Sequence, residues 1–464
     1  MILFFLILVS FILGFSFCFA LFRNTAFYNL RILFNLSIPI GIGVSSIVFV
    51  LLSIMDFTPL LILFVQIILT LFLFYNNLKS KPYSNYTIIN GGISNLKKQV
   101  QEPIFLLLII IYIYAWITNA GIFFFDSVKE PHGLWDAFNY WNLKAKIINR
   151  SPNNWPALFH QMVSEDFHPD YPLLQTGYIA YCWTFLKNES VWVPITISFI
   201  FTFCTIGLLS ASVSFFTNRI RGLIAGLTLL CTPFYMTMGD SQYADITVGF
   251  FYLATVVLLT LARDEPIIKL QLLIAAGITA SLCGWSKNEG LLFIACLIIS
   301  QLTLFPVKNT RELMNEIKYL ILGILPVLLI ILYYKMRIAP SNDILKAQGE
   351  KTLTKLTDCS RYATIAKWYI STIASFGKWM VNPWWFFLFG VLYKGINIKK
   401  MFPGMIANYT LLVLMLVGFF FIYIVTPLNL EFHLSTSLHR LFFQLFPTFI
   451  FLYFLSIGNR TSIT

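Results

Sequence analysis

DSVKEPHGLWDAFNYWNLKAKIINRSPNNWPALFHQMVSEDFHPDYPLLQTGYIAYCWTFL, residues 126–186, is the longest polar interruption in an otherwise apolar chain. Its last part, 171–186, decides the topology. Read as a membrane span, it would turn every later loop to the opposite side and put Arg219 and Arg221 outside. It is shorter than the ~20 residues that cross a hydrocarbon core, and Pro172 stands at its start. We read it as a helix along the outer interface, with Tyr171, Tyr178, Tyr181 and Trp183 at headgroup depth.

The rest of the stretch is rich in polar groups. It carries the acids Asp126, Glu130, Asp136, Glu165, Asp166 and Asp170, and the bases Lys129, Lys144, Lys146 and Arg150. Three of the chain's five histidines, His132, His160 and His168, are here as well. Chemistry performed by this chain is expected to start in this segment.

Around it the composition is that of a bilayer protein. Hydrophobic residues make up 58% of the 464, above the ~45–50% of soluble domains, and only 11% are charged. Mean hydropathy is +0.77. Apolar runs of span length recur along the chain, and the alternating pattern of a membrane barrel is absent. The fold class expected is all-α, a polytopic transmembrane helical bundle. The net charge of +12 therefore reads as cytoplasmic loop charge and not as a nucleic-acid surface. The seven cysteines form no disulfide framework or metal-ligand spacing.

About thirteen spans are predicted, near 1–22, 32–54, 58–76, 103–124, 190–215, 220–238, 244–262, 267–285, 289–306, 318–336, 369–393, 403–426 and 440–457. They group into three blocks: N-terminal spans in 1–102, a core in 103–336 that includes the outer loop 125–189, and an outer loop with C-terminal spans in 337–464. The 79–102 connection reads as a flexible linker. Alternate connections hold seventeen of the 32 Lys and Arg residues, among them Arg219, Arg221, Arg263 and Lys269, with few acids. The positive-inside rule makes that set cytoplasmic. The other set, facing outward, holds all five histidines, including His433 and His439.

Within the outer set, WDAFNYWNLKAK (135–146) is the most informative motif. As a regular helix it places Asp136, Tyr140 and Lys144 on one face. A carboxylate and an ammonium about 12 Å apart along the axis flank a sugar-sized space. A solvated interfacial helix would look the same. Asp170, in HPDYPLLQ, stands just before the helix at 171–186. Asp245 opens a span, where it either caps the helix or faces a polar cavity, because a carboxylate costs roughly 2.5–3.5 kcal/mol at a helix centre. Lys287 and Glu289 in WSKNEG pair or cap a hairpin. Arg440, at the end of HLSTSLHR, either binds a phosphate bidentately or snorkels to the interface. No metal site is predicted, since the histidine spacing fits no metal motif. No phosphate-binding glycine loop of an ATP-driven pump is present.

In their order and common sidedness, these motifs resemble the GT-C-fold glycosyltransferases, the polytopic class of protein O-mannosyltransferases and lipid A aminoarabinose transferases. The likeness covers 103–306 and the final loop and span. It rests on Asp136 in the first outer loop, on HPDYPLLQ, on YADITVGFFYLA with Asp245, on WSKNEG with Lys287, and on TSLHR with Arg440. The family's acid pair is often adjacent, whereas here Ala137 follows Asp136. The resemblance implies inverting transfer from a polyprenyl-phosphate sugar to a glycan, lipid or protein hydroxyl, without a cofactor, at the outer face of a bacterial plasma membrane. Asp136 and Asp245 are the expected catalytic acids. Tyr140, Lys144, Asp170, Lys287 and Arg440 are the expected substrate contacts, with Lys144 and Arg440 on the departing lipid phosphate. A glycan ligase or polymerase with a lipid pyrophosphate donor, or a lipid or solute transporter, are the competing readings.

Overall fold

The computed structural model describes residues 1–22, 30–79, 103–161, 168–305, 309–340, 349–379, 384–395 and 403–457. The linker read at 79–102, beyond its first residue, and the acids Glu165 and Asp166 lie outside them. The described residues form helices joined by short connections, with no β-strand among them.

Seven of the helices among the described residues precede the bundle core: α1 (Ile2–Phe22), α2 (Leu30–Ile54), α3 (Pro59–Lys79), α4 (Pro103–Lys129), α5 (Leu143–Arg150), α6 (Trp155–Gln161) and α7 (Leu174–Leu186). Twelve come after them: α8 (Trp192–Phe216), α9 (Arg219–Leu230), α10 (Pro233–Asp240), α11 (Ala244–Asp264), α12 (Lys269–Ser286), α13 (Asn288–Leu302), α14 (Thr310–Arg337), α15 (Gly349–Thr357), α16 (Cys359–Ser375), α17 (Trp384–Lys394), α18 (Pro403–Val425) and α19 (Leu430–Ser456).

At the centre stands α11, where every residue from Ala244 to Ala262 is buried. A helix apolar on all sides needs protein around its whole circumference, and α8, α12, α18 and α19 supply it. In contrast, α3 and α4 bury only 17% and 11% of their apolar windows. Their exposed Leu, Ile and Phe side chains suit contact with lipid tails, which cost nothing to touch.

Among the described residues ten helices are long and apolar enough to cross a membrane, or eleven if the bent pair α9–α10 is one span. Three of the thirteen predicted spans account for the difference. The 220–238 run breaks by 65° between α9 and α10. The break falls where Pro233 lacks an amide donor and pushes Thr232 into the extended region. The 289–306 run gives a helix of 15 residues, and 369–393 is divided between α16 and the 11-residue α17. The last span also begins earlier than expected, at Leu430, so His433, His439 and Arg440 are helical.

The helix at 171–186 does not lie on the surface. From Leu174 to Trp183 every residue of α7 is buried, and the helix packs on α2 and α5. Its tyrosines face protein: Tyr178 Oη bonds Ser10 Oγ at 2.9 Å, and Tyr181 packs edge-on to Phe49. Periodicity could not separate an interfacial helix from a buried one, since α7 is apolar on all sides. One end of the bundle collects Asp136, Asp170, Asp245, Lys287, Lys335 and Arg440. The opposite end holds Arg221, which donates to the Ile457 carbonyl at 2.9 Å, Arg263, which donates to the Gly404 carbonyl at 2.9 Å, and Lys269 paired with Glu312.

Candidate active site

Arg440 is the hub of the first end. Its Nη2 donates to Asp136 Oδ2 at 2.6 Å and to Asp245 Oδ2 at 2.7 Å. The guanidinium lies 4.5 Å from the centre of the Tyr243 ring, at cation–π distance. Gln444, one turn further along α19, donates to Asp245 Oδ1 at 2.7 Å. Asp245 also receives Lys287 Nζ at 3.1 Å, and Lys287 reaches Glu289 Oε1 at 2.8 Å. Charges thus alternate along Asp136, Arg440, Asp245, Lys287 and Glu289, drawn from four separate parts of the chain.

The backbone explains how these groups converge. Asp245 is in the first turn of α11, where amides without a partner inside the helix favour an acid. It does not cap the helix: the capping position is Tyr243, which makes no side-chain cap bond. Lys287 sits in extended conformation between α12 and α13. The hairpin closes so tightly that a Cβ at Gly290 would lie 2.2 Å from the Cys283 oxygen. Burial opposes the Lys287 charge, but Asp245 and then Glu289 outweigh it and hold its ammonium above the usual lysine value.

The one-face expectation for Asp136, Tyr140 and Lys144 is not met. Residues Ala137–Asn142 form a π-helical turn between Asp136 and α5. A π turn holds one residue more than an α turn, which rotates the downstream residues by about 100°. Asp136 therefore points to Arg440, and Lys144 points beneath the turn at His168–Tyr171. There Lys144 Nζ donates to the His168 carbonyl at 3.3 Å and the Tyr171 carbonyl at 3.5 Å, and lies 4.7 Å from the Trp141 ring centre. Tyr140 meets His168 edge-on at 4.9 Å. Asp170 is buried and accepts from Asn288 Nδ2 at 2.8 Å, with Lys335 Nζ at 3.5 Å.

Lys144 is only 1% exposed. Burial pushes its ammonium down to about 7, with Asp170 pulling it back up and Lys335 adding to the fall. An unfolded lysine titrates near ~10.4. Between the two values the unfolded chain binds more protons, so this group makes stability rise with pH. The melting temperature of the solubilised protein should rise from about pH 7 to about pH 9.5, and Lys144→Met should flatten that rise. Equal slopes in both proteins would assign the dependence to another group.

Glu289, Gln444, Asn288, Tyr334 and Lys335 are members of the site that the sequence motifs do not assign to substrate or catalysis. Gln444 has a signal, since it shares a helix face with Arg440 at i, i+4. Lys335 has none, because a lysine in the last turn of a span looks like any snorkelling residue. Among the described residues no three His, Cys, Asp or Glu side chains stand together as a metal site.

Of the residues in this network, Asp170, Asp245, Lys287, Glu289 and Tyr334 lie within 168–334, whereas Asp136, Lys335 and Arg440 lie outside it. No curated protein and no solved structure matches the chain. Residues 168–334, a little over a third of the sequence, match the model of the dolichyl-phosphate-mannose-protein mannosyltransferase family, so this polytopic helical chain is similar over its central segment to GT-C membrane glycosyltransferases.

Proposed function

We propose that the protein transfers a sugar from a polyprenyl-phosphate donor to an acceptor hydroxyl on the extracytoplasmic face, with inversion. The family match supports a membrane glycosyltransferase with a lipid-linked donor. The observation that carries the finer reading is the bridge from a single Arg440 nitrogen to two acids. The two acids differ in a way that divides their work. Asp245 is fully buried and accepts from Arg440, Lys287 and Gln444, whereas Asp136 keeps 15% side-chain exposure and, among the described residues, has Arg440 as its ion-pair partner.

Asp136 is accordingly the base. The acceptor oxygen attacks the anomeric carbon, its proton passes to an Asp136 oxygen, and the bond from that carbon to the phosphate oxygen breaks. The departing polyprenyl phosphate gains negative charge, which Arg440 meets with its guanidinium. Among the described residues the buried Arg440 Nε has no partner, so the guanidinium has donors to spare beyond those on the two acids. Donor phosphate competes with Asp136 for Arg440, and its arrival releases the base. Asp245 and Lys287 hold Arg440 in place. Lys144, tied to backbone carbonyls, is given no role at the phosphate.

Purified protein in detergent, supplied with a polyprenyl-phosphate sugar and no nucleotide sugar, should release polyprenyl phosphate in step with glycosylated acceptor. Turnover only with a nucleotide sugar or a lipid pyrophosphate would overturn the donor assignment. For the orientation, a cysteine placed at Asn153 in a variant lacking Cys231 and Cys359 should react with an impermeant thiol reagent in intact cells. A cysteine at Ile267 should not, and the reverse pattern would move the site to the cytoplasmic face.

A further inference from the structure

The His168–Tyr171 turn is held by side chains at every carbonyl. Lys144 donates to the His168 oxygen, Tyr334 Oη to the Pro169 oxygen at 2.5 Å, and Lys335 Nζ to the Asp170 oxygen. The Tyr171 oxygen accepts from both Lys144 and Tyr334, the latter at 3.3 Å. The Tyr171 amide closes the turn on the His168 oxygen at 3.0 Å, and His168 takes a left-handed φ of 39°. Buried carbonyls need donors, but one donor each would meet that need. Here two adjacent residues at the end of α14 reach over to a segment 165 residues earlier.

Lys335 does more than hold the turn. The same ammonium donates to Asn288 Oδ1 at 2.6 Å, and Asn288 Nδ2 donates to Asp170 Oδ2 at 2.8 Å. Asn288 is the neighbour of Lys287, whose ammonium lies 3.1 Å from Asp245 and 5.9 Å from the Tyr171 ring centre. Tyr171 in turn stacks between Trp141 and His168, with an interplanar angle of 13° to each. The contacts run from Lys335 through Asn288 to Lys287, then to Asp245, Arg440 and Asp136.

We infer that Lys335, with Tyr334, is a positioning residue for transfer: by clamping the His168–Tyr171 turn to the start of α13, it sets where Lys287 stands and so where Asp245 holds Arg440. This rests on the reaction proposed above. A displacement of about 1 Å at a reacting group is enough to cost ~10²-fold in rate, so the clamp acts on turnover. Lys335 itself touches neither donor nor acceptor.

The test is a set of variants assayed for transfer from the polyprenyl-phosphate sugar, with donor affinity and melting temperature measured alongside. Lys335→Met should lower kcat by about 10²-fold with acceptor KM little changed. Lys335→Arg, which keeps the charge and donors, should recover most of the loss. Asn288→Ala should match Lys335→Met, and the double variant should be no worse than either, because both act through Lys287. Tyr334→Phe removes a single hydroxyl and keeps the protein testable if Lys335→Met fails to fold; it should lower kcat by about tenfold. Folded Lys335→Met or Tyr334→Phe protein with near-wild-type kcat would overturn the inference, as would losses that add in the double variant. Asp136→Asn in the same assay separates the two failures. If it stays active, the proposed reaction is wrong; if it is inactive while Lys335→Met turns over normally, only the positioning role is wrong.

Discussion

Replacing Asp136 by asparagine should lower transfer turnover by about 10²–10⁴-fold, the usual cost of losing a general base. Folding should suffer little. Asparagine can still accept from Arg440 Nη2, and Asp245 remains on the same nitrogen at 2.7 Å. Donor binding should move in the direction opposite to activity. Asp136 Oδ2 takes an Arg440 nitrogen at 2.6 Å, so neutralising it weakens a competitor for phosphate. Polyprenyl phosphate should bind the variant about tenfold more tightly, or about 1.4 kcal/mol. Equilibrium binding to purified wild type and variant, paired with single-turnover transfer, reads both quantities. Weakened binding would show that Asp136 contacts the donor directly, and unchanged turnover would remove it from the chemistry.

Asp245→Asn should be felt mainly in stability. Its side chain is fully buried and takes bonds from Arg440, Lys287 and Gln444. Taking away one partner of a buried ion pair costs about 3–5 kcal/mol, because the remaining charge stays desolvated. Two cations are left behind here, each with one acid remaining: Asp136 for Arg440 and Glu289 for Lys287. Gln444→Met removes one neutral donor from the same carboxylate and should cost only about 1 kcal/mol. Melting of the solubilised proteins orders the two variants. A loss in Asp245→Asn no greater than in Gln444→Met would mean that the charge on Asp245 does not hold this end of the bundle.

Ten of the thirteen predicted spans were legible because long apolar runs are a one-dimensional signal. The sorting of Arg263 and Lys269 to one end and Lys287 and Arg440 to the other could be read before any contact was known. The break before Pro233 was also written in the chain, although composition alone concealed it within one apolar run. Burial of α7 was not legible, since tyrosines and a tryptophan suit headgroups and protein equally. Nor was the π turn after Asp136, since its residues would also fit a regular helix. The acids and bases of the site were found as individuals, but their pairing was not. Asp136 and Arg440 are 304 residues apart, and no spacing rule links positions that meet only through tertiary packing.

That distance along the chain has a meaning for biosynthesis. Asp245 is buried in the folded protein, yet Arg440 is translated 195 residues later. At roughly 5–20 residues per second, the wait is on the order of 10–40 s. Lys287 comes only 42 residues after the acid and can reach it within seconds. The lysine is therefore the earlier of the two partners to be synthesised, and the arginine completes the cluster later. A chain synthesised only as far as α18 carries Asp136 without Arg440, its ion-pair partner among the described residues.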